Sequence, residues 1–187
     1  LSPSDCKSEA ALPGDWPQTP PQDELLDELP KAETVERTLE NGLKVVVVPN
    51  HEVPFATAML GLKYGVWAEN PEHPGAANMA LSLLTKGTEN YTAAELAEEL
   101  EFNALTLDGS AGMDVSGVSA TGLADKMELA LKLMAEVVLR PTFPESEFEI
   151  LRQQLLSSLS IREKDPNYLA DRQLRKALYG QHPYART

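Results

Sequence analysis

Histidine, cysteine and basic residues are all scarce in this chain. Its 187 residues include 3 histidines and 1 cysteine. A single cysteine, Cys6, excludes an internal disulfide framework, and it stands in a polar stretch with no Cys-His set around it. His51, His73 and His182 are too scattered to form the helical pair that shares one metal ion, and each is expected in a loop. Lys and Arg number 16 against 29 Asp and Glu, a formal net charge of -13. That balance argues against nucleic acid or an anionic membrane surface as partner. No run of 18 apolar residues occurs, so no membrane-spanning helix is expected. The first residues lack a basic stretch followed by an apolar one, so no signal peptide is expected among them.

What is present suffices for one domain with a real core, at 42% hydrophobic residues, plus a tail. Residues 1–33 read as an acidic, Pro-rich linker or tail. They hold Pro3, Pro13, Pro17, Pro20, Pro21 and Pro30, and neither hydrophobic period. Leu25, Leu26 and Leu29 could form one docking turn, against the plainer alternative of an extended solvated arm.

Residues 34–187 alternate between the two periods. Residues 35–40 and 43–48 form a hairpin about a two-residue Asn41-Gly42 turn, and residues 55–64 form a third strand. Thr92 and Glu95 make a capping box for a helix facing inward with Leu96, Ala97 and Leu100. Glu95, Glu98, Glu99 and Glu101 spread around that helix as a solvated face rather than a metal site. Residues 105–111 and 115–123 are two more strands. Asp125 caps a helix with Met127, Ala130, Leu131, Met134 and Val138 as its core face. Thr142 caps a long helix with the stripe Phe148, Leu151, Leu155 and Leu159. Asp165-Pro166 starts a last helix that carries Leu169, Leu174 and Leu178 and stops at Gly180. The order predicts an α+β fold, a largely antiparallel sheet with helices packed on one face.

Residues 75–88 are the centre of this pattern. They read as a short helix with Met79, Ala80, Leu83 and Leu84 on one face and Gly87 as its stop. An ordinary amphipathic helix is the plain alternative. The frame Gly75-x-Ala77-Asn78-x-x-Leu81-Ser82-x-Leu84-x-Lys86-Gly87-Thr88 resembles the metal helix of the pitrilysin/insulinase family of zinc metallopeptidases, the inverzincins. Glu40-Asn41-Gly42-Leu43-Lys44-Val45, Arg140-Pro141-Thr142-Phe143 and Tyr179-Gly180-Gln181-His182-Pro183-Tyr184 are similar to that family in the same order.

The family carries H-x-x-E-H where this chain has Asn78, Leu81 and Ser82. Its third zinc ligand, a Glu on the long helix, matches Ser157 or Ser158. An amide and hydroxyls are poor zinc donors, and Leu81 cannot take a proton from water. The resemblance therefore implies a non-catalytic half with no metal site and no cofactor of its own, zinc being expected only in a catalytic partner half. It implies a role in forming the peptidase chamber and assisting peptide binding beside that half, fused or separate. The strand Leu105, Thr106, Leu107, Asp108, Gly109, Ser110 and Ala111 is the expected substrate-binding edge. The alternative is a structural or assembly subunit on the same fold. An active enzyme using a new site finds no readable Ser-His-Asp set. By resemblance the chain is expected to be the first domain of its half, incomplete at its C-terminus, bacterial and extracytoplasmic, associating through a sheet edge.

Overall fold

The computed structural model describes residues 33–186. Cys6, the prolines up to Pro30 and the Leu25, Leu26 and Leu29 turn lie outside the described residues. The chain divides into two units, one ending at Asn50 and one beginning at His51, and each is taken by itself. In the first, β1 (Val35–Thr38) pairs antiparallel with β2 (Lys44–Val47), Thr38 opposite Lys44. The turn is longer than the expected two-residue type. Leu39 N–H donates to the Leu43 carbonyl at 2.9 Å, leaving Glu40, Asn41 and Gly42 as a three-residue loop. Gly42 sits at φ 85°, the left-handed position that closes this kind of loop with a bulge.

In the second unit, β3 (Phe55–Leu62), β4 (Thr106–Ala111) and β5 (Ser116–Leu123) form an antiparallel sheet in the order β3-β5-β4. Ala58 and Leu107 both stand opposite Ala120, and Leu60 and Gly109 both stand opposite Val118. With side chains alternating along each strand, these residues share one face. Helices α1 (Ala76–Leu83) and α3 (Met127–Leu139) cover it, burying Leu81, Leu84, Leu133, Met134 and Val137 against Leu107, Val118 and Ala120. Within this unit no element covers the other face: Met59 is 69% exposed, and the Thr57 and Thr121 hydroxyls hydrogen-bond across it at 3.0 Å. This is the predicted α+β layer with helices on one side.

Local chemistry sets the path into the edge strand. The Thr92 hydroxyl accepts from Glu95 N–H at 3.2 Å, and the Glu95 carboxylate accepts from Thr92 N–H at 2.8 Å, completing the capping box of α2 (Ala93–Phe102). At its other end Leu105 N–H reaches the Leu100 carbonyl at 2.9 Å across Ala104, which takes φ 52°. This left-handed closure ends the helix and turns the chain into β4.

Four helical expectations are corrected. Asp125 lies in a 3-10 turn and does not cap α3, whose N-cap is Lys126. The buried stripe of α3 is Ala130, Leu133, Met134 and Val137, with Leu131 49% exposed. The helix is apolar around most of its circumference, so periodicity alone could not choose the face. Thr142 does not cap α4 (Glu145–Arg162), which begins after Pro144. In α5 (Pro166–Tyr179) the Asp165 cap holds, its carboxylate accepting from Asn167 N–H at 2.9 Å. Its half-buried residues are Tyr168, Leu169, Arg172 and Arg175, so of the expected leucines only Leu169 turns inward, while Leu174 and Leu178 are exposed.

Candidate functional site

Helix α1 lies against the edge strand with no room to spare. A Cβ added at Gly109 would stand 2.6 Å from the Leu81 carbonyl oxygen, so only glycine admits this approach. Leu81 is buried here, whereas Asn78 and Ser82 are exposed on the same helix. The expected core face is corrected accordingly: Leu81, Leu83 and Leu84 point inward, Met79 is half-buried and Ala80 is exposed. The position that the resemblance matches to the family's base is thus filled by a side chain that belongs to the core.

Ser157 is exposed and Ser158 half-buried on α4, where they line a shallow depression with Gln153, Gln154, Ile161 and Arg162. Asn78 lines a neighbouring cleft, and Arg162 belongs to the lining of both. One amide and three hydroxyls do not fit a zinc ion, which takes imidazole, thiolate or carboxylate. Among the described residues no group of three or more His, Cys, Asp or Glu is placed to hold a metal ion.

Of the residues expected to meet a peptide, Leu105 and Leu107 are buried, Gly109 and Ala111 half-buried, and Thr106, Asp108 and Ser110 exposed. Leu105 precedes β4. Gly112 N–H donates to the Val115 carbonyl at 3.0 Å, which sets the phase of the β4–β5 ladder. Counting back in steps of two, Ser110, Asp108 and Thr106 bond to β5, and the N–H and C=O groups of Leu107, Gly109 and Ala111 face away from it. Within this unit no further strand pairs with that edge.

Sequence reasoning missed Glu69. Only 5% exposed, its carboxylate accepts from Gly75 N–H at 3.0 Å and Ala77 N–H at 2.7 Å. It thereby serves the first amides of α1 and places an anion at the positive end of the helix. A signal did exist. Gly75 is the N-cap and has no side chain to cap with, so the orphan amides required an acceptor from elsewhere. Glu69 is positioned by the preceding loop: Val66 N–H donates to the Gly112 carbonyl at 3.0 Å and Trp67 N–H to that of Met113 at 3.2 Å.

Beside this cap opens a cleft of about 420 Å³. Gly75 and Asn78 of α1, the β4–β5 turn at residues 111–113, Arg162 at the end of α4, and Tyr168, Asp171 and Arg175 of α5 line it, with Arg186. Arg175 pairs with Asp171 at 2.7 Å, and Arg186 Nη1 donates to the Glu69 carbonyl at 3.4 Å. Arg162 has no ion-pair partner among the described residues. The Tyr184 hydroxyl donates to Asp114, pinning the final turn to the β4–β5 hairpin. Donating to that anion, which also repels a phenolate, holds the Tyr184 phenol above its ordinary value.

An antiparallel sheet with one helical layer, a short first helix and a long fourth helix beside it defines a metallopeptidase-like α+β domain. The profile of the insulinase family, peptidase family M16, matches residues 44–187, and the chain belongs to that family. It is 30% identical over 151 residues to a protein of Mycobacterium leprae described as an uncharacterized zinc protease, covering 80% of this chain and 34% of that one. It is 26% identical over 147 residues to the non-peptidase homolog YmxG of Helicobacter pylori, covering 78% and 34%. The chain thus spans about a third of the length of these curated relatives. Among solved structures it is similar to a peptidase M16 inactive domain from Pseudomonas fluorescens, with TM-score 0.75, 29% identity, and coverage of 82% of this chain and 38% of that one. A protease from Helicobacter pylori gives TM-score 0.72 at 27% identity, covering 84% and 38%.

Proposed function

We propose that this chain is a non-catalytic domain of an M16 peptidase, which shapes the peptidase chamber and holds peptide beside a zinc-bearing half. The observation that carries this reading is the open edge of β4 in its sheet, packed against a helix with Asn78 and Ser82 where the resemblance matches the family's histidines. An unpaired strand edge offers backbone donors and acceptors at a strand's spacing, which an extended peptide can meet without regard to its sequence. The same edge could pair two copies of the chain. The likeness to a peptidase M16 inactive domain and to a non-peptidase homolog supports the silent role. With no ligand set among the described residues, this reading gives the zinc to the partner half, on which peptide hydrolysis depends.

The test has three arms on one unfolded peptide: this protein alone, a half bearing H-x-x-E-H alone, and the two together. Hydrolysis only in the mixture is the expected result. Full activity of the zinc-bearing half alone would instead favour a structural or assembly subunit on the same fold. Activity of this chain alone, abolished by a chelator, would refute the proposal.

A further inference from the structure

We infer that the cleft at the end of the β4 edge is a carboxylate subsite, so that this domain selects peptides carrying an acidic group where they leave the strand. The inference rests on the edge-binding reading above and names the class of peptide it favours. Three arginines, Arg162, Arg175 and Arg186, line one cleft in a chain of net charge -13. Two carboxylates line it with them, but both are engaged. Glu69 spends its oxygens on the amides of Gly75 and Ala77, and Asp171 is paired with Arg175. Arg186 is held by the Glu69 carbonyl, at 3.4 Å. Arg162 is left with its donor fork unmatched, beside the exposed amide of Asn78.

The placement gives the charge a use. Ala111 ends the edge strand, and it and Gly112 line the same cleft, so a peptide extended along β4 would run on into the cleft that Arg162 lines. A guanidinium offers two parallel donors that match a carboxylate and cannot serve an amide of the same shape equally well. Arg162 also stands in the last turn of α4, where a cation complements the helix dipole. That role alone would not tell an acidic peptide from a neutral one, and the test turns on this difference.

The 187-residue chain is titrated into short fluorescein-labelled Thr/Val-rich peptides, and anisotropy is followed. One set ends in Glu or Gln, each with a free or an amidated C-terminus, which separates a side-chain carboxylate from a terminal one. A second set is methylated on alternate backbone nitrogens, which prevents strand pairing. Peptides with a carboxylate should bind roughly five- to tenfold tighter than the fully amidated Gln peptide, the range for a partly exposed charge-assisted pair. In Arg162→Gln that ratio should fall below about twofold while the melting temperature stays near that of the parent.

Equal binding of acidic and neutral peptides, with methylation still weakening both, would overturn the carboxylate subsite and leave the edge reading standing. A carboxylate preference insensitive to methylation would sustain the subsite and sink the edge reading. A preference that survives Arg162→Gln overturns the assignment to this cleft, and binding of no peptide overturns both.

Discussion

Replacing Gly109 by Ala probes the contact on which the candidate site depends. The new methyl group would stand 2.6 Å from the Leu81 carbonyl oxygen and 3.2 Å from both the Leu81 carbonyl carbon and its Cβ. Attractive contact between such atoms begins at about 3.5 Å, so α1 must retreat by roughly 0.5–0.9 Å. A gap of that size forfeits about a quarter to a half of each dispersion contact it opens. The contacts at risk are those of Leu81 and Leu84 with Leu107 and Val118 in the main core cluster. Overpacking of this kind costs about 1–3 kcal/mol, or roughly 2–12 °C in melting temperature for a domain of this size. Urea unfolding should therefore show a lower midpoint with an unchanged slope. Gly61→Ala is the control, since the added Cβ there meets nothing within 4 Å. Its stability should stay within about 0.5 kcal/mol of the parent. If Gly109→Ala is as stable as Gly61→Ala, the close approach of α1 to β4, and the burial of Leu81 with it, is wrong.

Glu69→Gln keeps one acceptor for the two amides of Gly75 and Ala77 and turns an NH2 toward the other, so it should cost about 1–3 kcal/mol in chemical unfolding; no loss would mean that α1 is capped in another way. Acid should destabilise the fold. A backbone hydrogen bond from Thr92, then its hydroxyl, holds Glu95 below the ordinary 4.5, and Lys132 does the same for Glu128. At Glu136 desolvation acts upward, but hydrogen bonds from Thr88, Asn90 and Arg140 outweigh it. Depressed carboxylate values mean stability that is present above the unfolded value and lost as pH falls through the folded ones. The urea midpoint should accordingly drop below about pH 4.5, less steeply in Thr92→Val, and a midpoint that rises there would contradict these assignments. For the metal, the parent should retain no zinc after dialysis. Asn78→His with Ser82→His and either Ser157→Glu or Ser158→Glu should gain close to one zinc per chain. Leu81 is best left in place, because a carboxylate there would enter the core. If neither glutamate placement yields zinc binding, the match of these positions to the family's ligands fails.

Period and punctuation carried most of the elements. The alternation in β3 and β5, the Thr92 and Glu95 capping box, and Asp165-Pro166 each act within a few residues, so the sequence states them directly. The same holds for the family. Its short phrases keep their order, and that residues 78, 81, 82, 157 and 158 carry neither imidazole nor carboxylate is a matter of side-chain identity alone.

What the tertiary structure decided is everything that depends on which residues meet across the chain. A helix apolar on most sides can bury any of several stripes. Only packing against β5 selected Leu133 and Val137 over Leu131 in α3. Only contact with β4 turned Leu81 inward. Strand order made β4 an edge, and a carboxylate six residues upstream became the cap of α1 because the loop at residues 65–67 is tied to the β4–β5 turn. Arg162, Arg175 and Arg186 stand far apart along the chain on segments with no shared motif. Their convergence on one cleft is a property of how the ends of α4, α5 and the final turn are brought together in the fold, and no local pattern encodes it.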